Sequence, residues 1–117
     1  MAGPVDALDF SWIEDYVAIV DAHPSDFRND FSEWLRENPD IWSAFYHKSV
    51  TLMNAGRRYF SARTIIEVIR WDSAIQSQGD IYKINNNWAP DMARLFMKTV
   101  PGAGDLFALR ETYLRAS

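Results

Sequence analysis

Residues 79–100 read Gly-Asp-Ile-Tyr-Lys-Ile-Asn-Asn-Asn-Trp-Ala-Pro-Asp-Met-Ala-Arg-Leu-Phe-Met-Lys-Thr-Val, and the fold is organised around this stretch. Apolar and polar side chains alternate over 81–84, which predicts a short strand. Pro90 favours the start of a helix and Pro101 its end, so a helix is predicted over 89–100. Three asparagines separate the two elements. They are either caps and turn residues or a contact surface, and the residues alone leave both open.

Four more helices are predicted before this stretch. Apolar side chains recur at helical spacing over 9–22, from 25 or 26 to 38, over 39–55 and over 62–75. Asp9 is a candidate cap for the first helix, and Gly56 is a natural residue to follow the last turn of the third. A second strand over 106–110 is expected to pair with the strand over 81–84.

These elements predict a mostly α fold of about five helices with a small two-stranded β element. The order helix, short extended piece, helix, turn, helix and strand is compatible with a winged helix-turn-helix core. We expect residues 1–24 to form an acidic amphipathic extension and residues 25–117 to form one compact helical domain.

Composition limits the class of protein. The chain has 117 residues, of which 48% are hydrophobic, enough for one domain with a real core. It has no cysteine, so disulfides and thiol catalysis are excluded. No apolar run approaches the roughly 20 residues of a membrane span, and the N-terminus lacks the pattern of a signal peptide. A cytoplasmic protein without membrane contact is expected.

Charge is divided unevenly along the chain. Residues 1–46 hold ten acidic and two basic residues, whereas residues 47–117 hold six acidic and ten basic ones, although the net charge is only −4. An acidic front and a basic back favour an electrostatically polar molecule. The simpler interpretation is that each half has its own solvated surface.

Catalytic and metal-binding patterns are missing from the sequence. His23 and His47 are far apart and lack the spacing of metal ligands, and no serine lies in a Gly-x-Ser-x-Gly turn. The segment Gly102-Ala103-Gly104 lacks the lysine of a phosphate-binding loop. We therefore predict a protein that is not an enzyme and uses no cofactor.

Nucleic-acid binding is the favoured hypothesis, with helix 89–100 as the recognition element. Asparagine pairs with adenine, arginine with guanine, and lysine with phosphate. The predicted contact residues are Arg57, Arg58, Lys83, Asn85, Asn86, Asn87, Trp88, Arg94 and Lys98. Against this, segment 72–84 is long for the turn of such a motif, and the helix carries few basic residues.

The five tryptophans divide by pattern. Trp34, Trp42 and Trp71 fall on helical apolar stripes and are predicted to be core residues. Trp12 and Trp88 do not fall cleanly on such a stripe, so their environment is left open.

Protein binding through the acidic front is the alternative hypothesis. Acidic residues with aromatic anchors can occupy a basic groove in the manner of a nucleic acid. The candidate residues are Asp9, Trp12, Glu14, Asp15, Tyr16, Asp21, Asp26 and Asp30. The competing interpretation is a solvated helix packed on the domain, and an apolar face left over on this helix could also serve a homodimer.

From residue 38 to 111 the chain resembles a group of short, poorly characterised bacteriophage and prophage proteins. The Lys-Ile-Asn-Asn-Asn run over 83–87 is the most distinctive part. The other shared segments are Asn38-Pro39, Ala55-Gly56-Arg57, Ser61-Ala62, Ile69-Arg70-Trp71, Gly79-Asp80, Ala93-Arg94-Leu95-Phe96-Met97 and Leu106-Phe107. The resemblance covers roughly two thirds of the chain and implies a phage setting in the cytoplasm of a bacterial host, with no settled activity.

Together these observations favour a phage accessory protein whose winged-helix-like core contacts DNA or RNA. The alternative is an anti-defence inhibitor of the anti-CRISPR type, which would bind a host defence protein through an acidic surface that mimics nucleic acid.

Overall fold

The computed structural model describes residue 4, residues 10–76 and residues 85–107. Within these residues the chain is mostly helical, as predicted. The helices are α1 (Ile13–Ala22), α2 (Phe31–Glu37), α3 (Pro39–Asn54), α4 (Ala62–Gln76), a 3-10 helix (Asn86–Trp88) and α5 (Ala89–Thr99).

Helix α1 begins four residues later than the prediction of 9–22. Ile13 donates its N–H to the carbonyl of Phe10, so the chain turns before the helix proper begins. Phe10 is consequently 39% exposed rather than part of the buried stripe. The predicted cap, Asp9, lies outside the described residues. The buried stripe of α1 is Ile13, Tyr16, Val17 and Val20.

Helix α2 also begins later than predicted, at Phe31 instead of 25 or 26. Residues 23–30 form turns because tertiary contacts engage their backbone and side chains. The N–H of Arg28 donates to the carboxylate of Asp91 in α5, and Asp26 pairs with Lys98. Phe27 is buried even though it is not helical. Phe27 and Phe31 are therefore spaced as on a helix because both are buried, and not because one helix contains them both.

The limits of α3 and α4 agree with the predictions of 39–55 and 62–75 to within one residue. Gly56 follows α3 with a φ of 79°, the left-handed conformation expected after a helix end. Asn38 precedes α3, but its side chain makes no bond to that helix. Instead its Nδ2 donates to the carbonyl of Trp34 and closes α2.

A single parallel β-bridge joins Phe60 to Phe107. Its backbone bonds run from the N–H of Tyr59 to the carbonyl of Asp105, at 3.0 Å, and from Phe60 to Leu106, at 2.7 Å. No strand is found within residues 10–76 and 85–107. The pairing predicted between 81–84 and 106–110 involves residues outside the described ones, so the two-stranded element and the winged helix stay predictions.

Helix α5 lies at the centre of the core. Met92, Ala93, Leu95 and Phe96 are fully buried, and α5 packs against α3, α4 and the 3-10 helix. Helix α1 packs on α2 and adds its buried stripe to the same core. Tyr16 also joins α1 to α3, since its ring packs edge-on against the buried ring of Trp42, with 5.2 Å between the ring centroids.

Candidate functional site

The three asparagines of the central stretch have structural partners. The Oδ1 of Asn85 accepts from the N–H of Asn87 at 2.9 Å and caps the 3-10 helix. The Oδ1 of Asn86 accepts from the guanidinium of Arg70 at 3.1 Å, which ties this turn to α4. The carbonyl of Asn87 accepts from Arg28 at 3.5 Å. Capping and anchoring therefore account for the side chains of Asn85 and Asn86, whereas Asn87 contributes backbone groups to these contacts.

Trp88 is part of an aromatic stack. Its ring lies on Phe31 at 5.8 Å and on Trp34 at 5.3 Å, both nearly parallel. The Arg28 guanidinium lies 5.6 Å from its centroid, on a face of the ring. The stack joins α2 to the turn before α5, so Trp88 acts as a structural bridge between them.

The role of recognition helix does not fit the burial of α5. Every residue from Ala89 to Met97 is buried or half-buried. A helix that enters the major groove must present its outer face and its N-terminal residues to base edges. Here α5 packs against α3, α4 and the 3-10 helix, although Asn85 and Asn87 before it and Lys98 near its end are exposed. The burial of α5 gives the recognition-helix interpretation of residues 89–100 little support, and that interpretation stays a prediction.

Most of the predicted basic contact residues are engaged in ion pairs. Arg94 is 22% exposed in its side chain and pairs with Asp91 at 3.6 Å. Lys98 pairs with Asp26 at 3.3 Å, and Arg58 pairs with Asp105 at 3.4 Å. Arg57 is exposed and makes no ion pair with another described residue. Lys83 lies outside the described residues. The structure thus does not gather these side chains into one basic surface.

Asp91 is the one buried acidic side chain among the described residues, at 1% exposure. It accepts from the Arg28 N–H at 3.3 Å and pairs with Arg94. Burial raises the pKa of this carboxyl above its usual range, and the two arginines oppose the shift. Its contacts join the 23–30 turns to α5, which makes it a structural group.

Acidic side chains dominate the surface of residues 10–40. This segment holds eight acidic and two basic residues, and all ten are exposed. The acidic residues are Glu14, Asp15, Asp21, Asp26, Asp30, Glu33, Glu37 and Asp40. We call this the acidic surface. By contrast, residues 41–76 hold two acidic and five basic residues. The charge division of the sequence is thus also a division between parts of the folded molecule.

Two polar contacts across α1 and α2 position the acidic surface. The two carboxylate oxygens of Glu14 accept hydrogen bonds from the Nε and Nη2 atoms of Arg36, each at 3.0 Å. At the other end, the Ser32 hydroxyl donates to Asp21. The two helices therefore run antiparallel with an exposed seam. The hydrogen bond from Arg36 lowers the pKa of Glu14, so this carboxyl stays ionised.

The predicted partner-binding residues divide by exposure. Glu14, Asp15, Asp21, Asp26 and Asp30 are exposed as required. The predicted aromatic anchors, by contrast, pack within the fold, where that hypothesis requires them to be exposed.

Tyr16 is 1% exposed and cannot contact a partner, so its inclusion in the alternative site is wrong. Burial raises the pKa of its hydroxyl, and neighbouring Tyr46 adds to the shift. Trp12 is half-buried against Phe10 and Tyr16. Its indole nitrogen is buried and has no hydrogen-bond partner among the described residues, so the ring faces inward. Asp9 lies outside the described residues.

Three residues of the acidic surface were not singled out from the sequence: Glu33, Glu37 and Asp40. Glu33 and Glu37 lie one turn apart on α2, opposite the buried Phe31 and Leu35. Neither makes an ion pair with another residue in the described part of the chain. Their i, i+4 spacing beside an apolar stripe is a signal that would have identified them.

No metal centre or membrane span is found among the residues that the structure describes. No group of three or more His, Asp or Glu side chains is arranged to hold a metal ion in this part of the chain. None of its helices is both long and apolar enough to cross a bilayer. His23 is exposed, with Nδ1 at 2.9 Å from the carbonyl of Ile19.

Comparisons with known proteins do not assign the chain. No protein-family model, no curated protein and no solved structure matches it. The resemblance to phage proteins therefore stays a prediction, and function has to be argued from the surface of this molecule.

Proposed function

We propose that this protein acts without catalysis, by binding a basic surface of a partner protein through its acidic surface. The observation that carries the proposal is the exposure of all eight acidic residues within residues 10–40, against two basic residues there. Such concentration attracts a positively charged partner over long range and fixes its orientation.

The chemistry of the surface favours a partner that normally holds nucleic acid. Carboxylates on a rigid helix pair place negative charges where a basic groove would otherwise receive phosphates. The buried faces of α1 and α2 pack on each other, so the carboxylates on their outer sides are held in place before binding. A host nucleic-acid-binding protein, including a defence protein, is the partner class that also agrees with the phage resemblance.

Direct nucleic-acid binding has less support from the geometry. The predicted basic residues are dispersed and mostly paired, and the acidic surface would repel phosphates. Direct nucleic-acid binding can be tested, because the affinity must fall steeply as the salt concentration is raised.

The test compares capture of bacterial proteins by the wild type and by a triple variant, Asp15→Asn, Glu33→Gln and Glu37→Gln. These side chains are exposed and make no ion pair with another described residue, so the fold should persist. The lysate is treated with nuclease, and bound proteins are displaced with duplex DNA. We expect the wild type to retain a nucleic-acid-binding protein that DNA displaces and that the triple variant fails to retain.

The matched control compares Glu37→Gln with Glu67→Gln, an equivalent change on the outer side of α4. Only the former should weaken capture. Equal capture by the wild type and the triple variant would refute the acidic surface. A shift of labelled DNA or RNA by the purified protein at low salt, abolished by Arg57→Gln and Arg58→Gln, would favour direct nucleic-acid binding instead.

A further inference from the structure

An open apolar groove lies between α3 and α4, and none of its lining residues belongs to α1 or α2. Its volume is about 300 Å³, and it is lined by Lys48, Thr51, Leu52, Phe60, Thr64, Ile65 and Val68. The helices run antiparallel here, since Lys48 and Asp72 pair across one end at 2.6 Å. Phe60, on the segment that joins the two helices, lines the groove as well. Buried Ile65 contributes to its floor.

The outer face of α4 beside the groove carries apolar side chains in solvent. Val68 is 43% exposed, and Trp71, one turn further, is 67% exposed. Thr64, Val68 and Trp71 lie at i, i+4 and i+7, so they form one stripe along the helix. The sequence-based placement of Trp71 in the core is therefore wrong. A large ring with most of its surface in water is costly unless something covers it.

A second exposed ring lies in the segment that joins α3 to α4. Tyr59 is 65% exposed and has a φ of 55°. A left-handed backbone is unfavourable for an aromatic residue, and such strain is concentrated at sites that bind. Its neighbour Phe60 lines the groove. The exposed apolar side chains Tyr59, Val68 and Trp71 thus all lie in or next to the elements that form the groove.

The charge of these elements selects the occupant. Residues 41–76 hold five basic and two acidic residues. Lys48 lines the groove and pairs with Asp72, and Arg63 immediately precedes the lining residue Thr64 in α4. Arg57 and Arg63 are exposed and make no ion pair with another described residue. An apolar segment that carries negative charge would satisfy both the groove and these cations.

We propose that the α3–α4 groove is a second binding site, which takes an acidic amphipathic helix from a partner protein. The apolar face of that helix occupies the groove over Leu52 and Ile65 and covers Val68 and Trp71. Its carboxylates reach Lys48, Arg57 and Arg63. Helix-in-groove recognition of this type uses apolar anchors at i, i+3 or i+4, and i+7.

Two other occupants fit the groove less well. Nucleic acid would use the cations and the exposed rings but would leave the apolar groove unfilled. A second copy could bring its acidic surface to the basic one, yet head-to-tail contacts of that kind form open chains unless the rotation closes. Both remain outcomes that the test distinguishes.

Selection from a library of random peptides tests the proposal. Peptides of about sixteen residues are long enough for about four helical turns. The full-length protein is immobilised, and the selected peptides are then measured by fluorescence polarisation. The main variant is Val68→Glu, which places a negative charge in the groove at an exposed position. Ala74→Glu adds the same charge to α4 at an exposed position that does not line the groove.

We expect the selected peptides to share helically spaced apolar residues and a net negative charge. Val68→Glu should weaken their binding about tenfold or more, and Ala74→Glu less than about twofold, a difference of roughly 1 kcal/mol. Arg57→Gln with Arg63→Gln should weaken it and reduce its dependence on salt. Circular dichroism and thermal unfolding confirm the fold of each variant. Val68→Thr provides the comparison if Val68→Glu does not fold.

Three results would overturn the proposal. One is an absence of selected peptides, or peptides without the acidic apolar pattern. Another is equal binding by the wild type and the Val68 variants. The third is retention of duplex DNA or of a second copy of the chain at this face, with loss of that species in Val68→Glu, which would assign the groove to that occupant. Because no residue of the acidic surface is altered, failure here leaves the proposed function standing.

Discussion

Two residues near the α3–α4 connection have left-handed backbones. One is a glycine, which adopts this conformation easily, and the other is an aromatic residue, which does not. Gly56 has a φ of 79° with no side chain to strain. Tyr59 has a φ of 55° and keeps a large exposed ring. The first costs little, whereas the second is unfavourable and is held by the hydrogen bond from the Tyr59 N–H to the carbonyl of Asp105.

Gly56→Ala should lower the free energy of unfolding by about 1 kcal/mol, because a left-handed backbone is unfavourable for a residue with a Cβ. No atom lies within 4 Å of the position that the Cβ would take, so conformational strain is the whole effect. Urea denaturation measures it. Gly56→Asn should cost less, since asparagine tolerates this conformation. Equal stability of the glycine and alanine proteins would contradict the assignment.

Asp91→Asn should remove one contribution to the pH dependence of stability. Burial raises the pKa of the Asp91 carboxyl above its ordinary value of 3.8. The folded protein therefore holds this proton more tightly than the unfolded chain, so the stability that the group contributes is present at low pH. That contribution is lost as the pH rises through the raised pKa.

The asparagine variant should therefore gain stability relative to the wild type as the pH is raised from about 4 to about 7. Urea denaturation at several pH values gives the comparison. Asp91→Ala is the control, because it also removes the acceptor of the Arg28 N–H and should be less stable than Asp91→Asn. A stability difference between Asp91→Asn and wild type that does not change with pH would refute the account.

Among the elements, the aromatic stack of α2 and the 3-10 helix connects distant parts of the chain. Phe31 is fully buried and lies between Phe27 and Trp88, with ring distances of 5.6 and 5.8 Å. The stack and the Asp91 contact together hold the 23–30 turns against α5.

Trp88→Ala should lower the free energy of unfolding by about 3 kcal/mol, because it removes a large stacked ring at the junction of two elements. Trp88→Phe retains one ring and should cost less. Trp71→Ala is the matched control: Trp71 is mostly exposed, so its loss should change stability by less than about 0.5 kcal/mol. If Trp88→Ala and Trp71→Ala lowered the free energy of unfolding by similar amounts, burial of the ring would not determine the cost of its removal.

Local patterns predicted those elements whose ends are marked by local signals. Pro39, Gly56 and Pro90 act through their own backbone, so α3 and α5 lie close to the predicted limits. The start of α2 depends on bonds between Arg28 and Asp91, which are 63 residues apart. No local pattern contains such a contact. For the same reason the helical spacing over 62–75 predicted α4 but could not show that Trp71 faces solvent.

The candidate sites were predictable to different degrees. Charge is a property of the sequence, so the acidic surface was visible in the split between residues 1–46 and 47–117. The face of each residue depends on packing. Tyr16, which looked like an anchor beside the acids, is buried against Trp42. The groove forms only when α4 returns along α3, so its residues gave no signal in the sequence.

On the scale of the whole molecule, the chain combines the acidic surface of residues 10–40 with an apolar groove between α3 and α4. Residues 10–40 also hold two basic residues, and one of them, Arg36, allows a test in which binding is expected to strengthen. Arg36 pairs with Glu14, and both side chains are about half exposed.

Arg36→Gln should strengthen capture of the basic partner, by about two- to fivefold, because it removes an opposing charge and leaves Glu14 unpaired. The measurement is the dissociation constant for the captured protein at low salt. The increase should shrink as salt is raised. Glu14→Gln is the companion variant and should weaken binding. Weaker binding by Arg36→Gln would mean that the Glu14–Arg36 contact matters more for positioning than the added negative charge.

The acidic surface is the central claim, and one titration tests it most directly. The captured partner is purified, and its affinity is measured for the wild type and for the Asp15→Asn, Glu33→Gln, Glu37→Gln variant over a range of salt concentrations. We predict that the wild type binds about tenfold or more tightly at low salt and that the two converge as salt is raised. Equal affinities and equal salt dependence for the two proteins would contradict the claim.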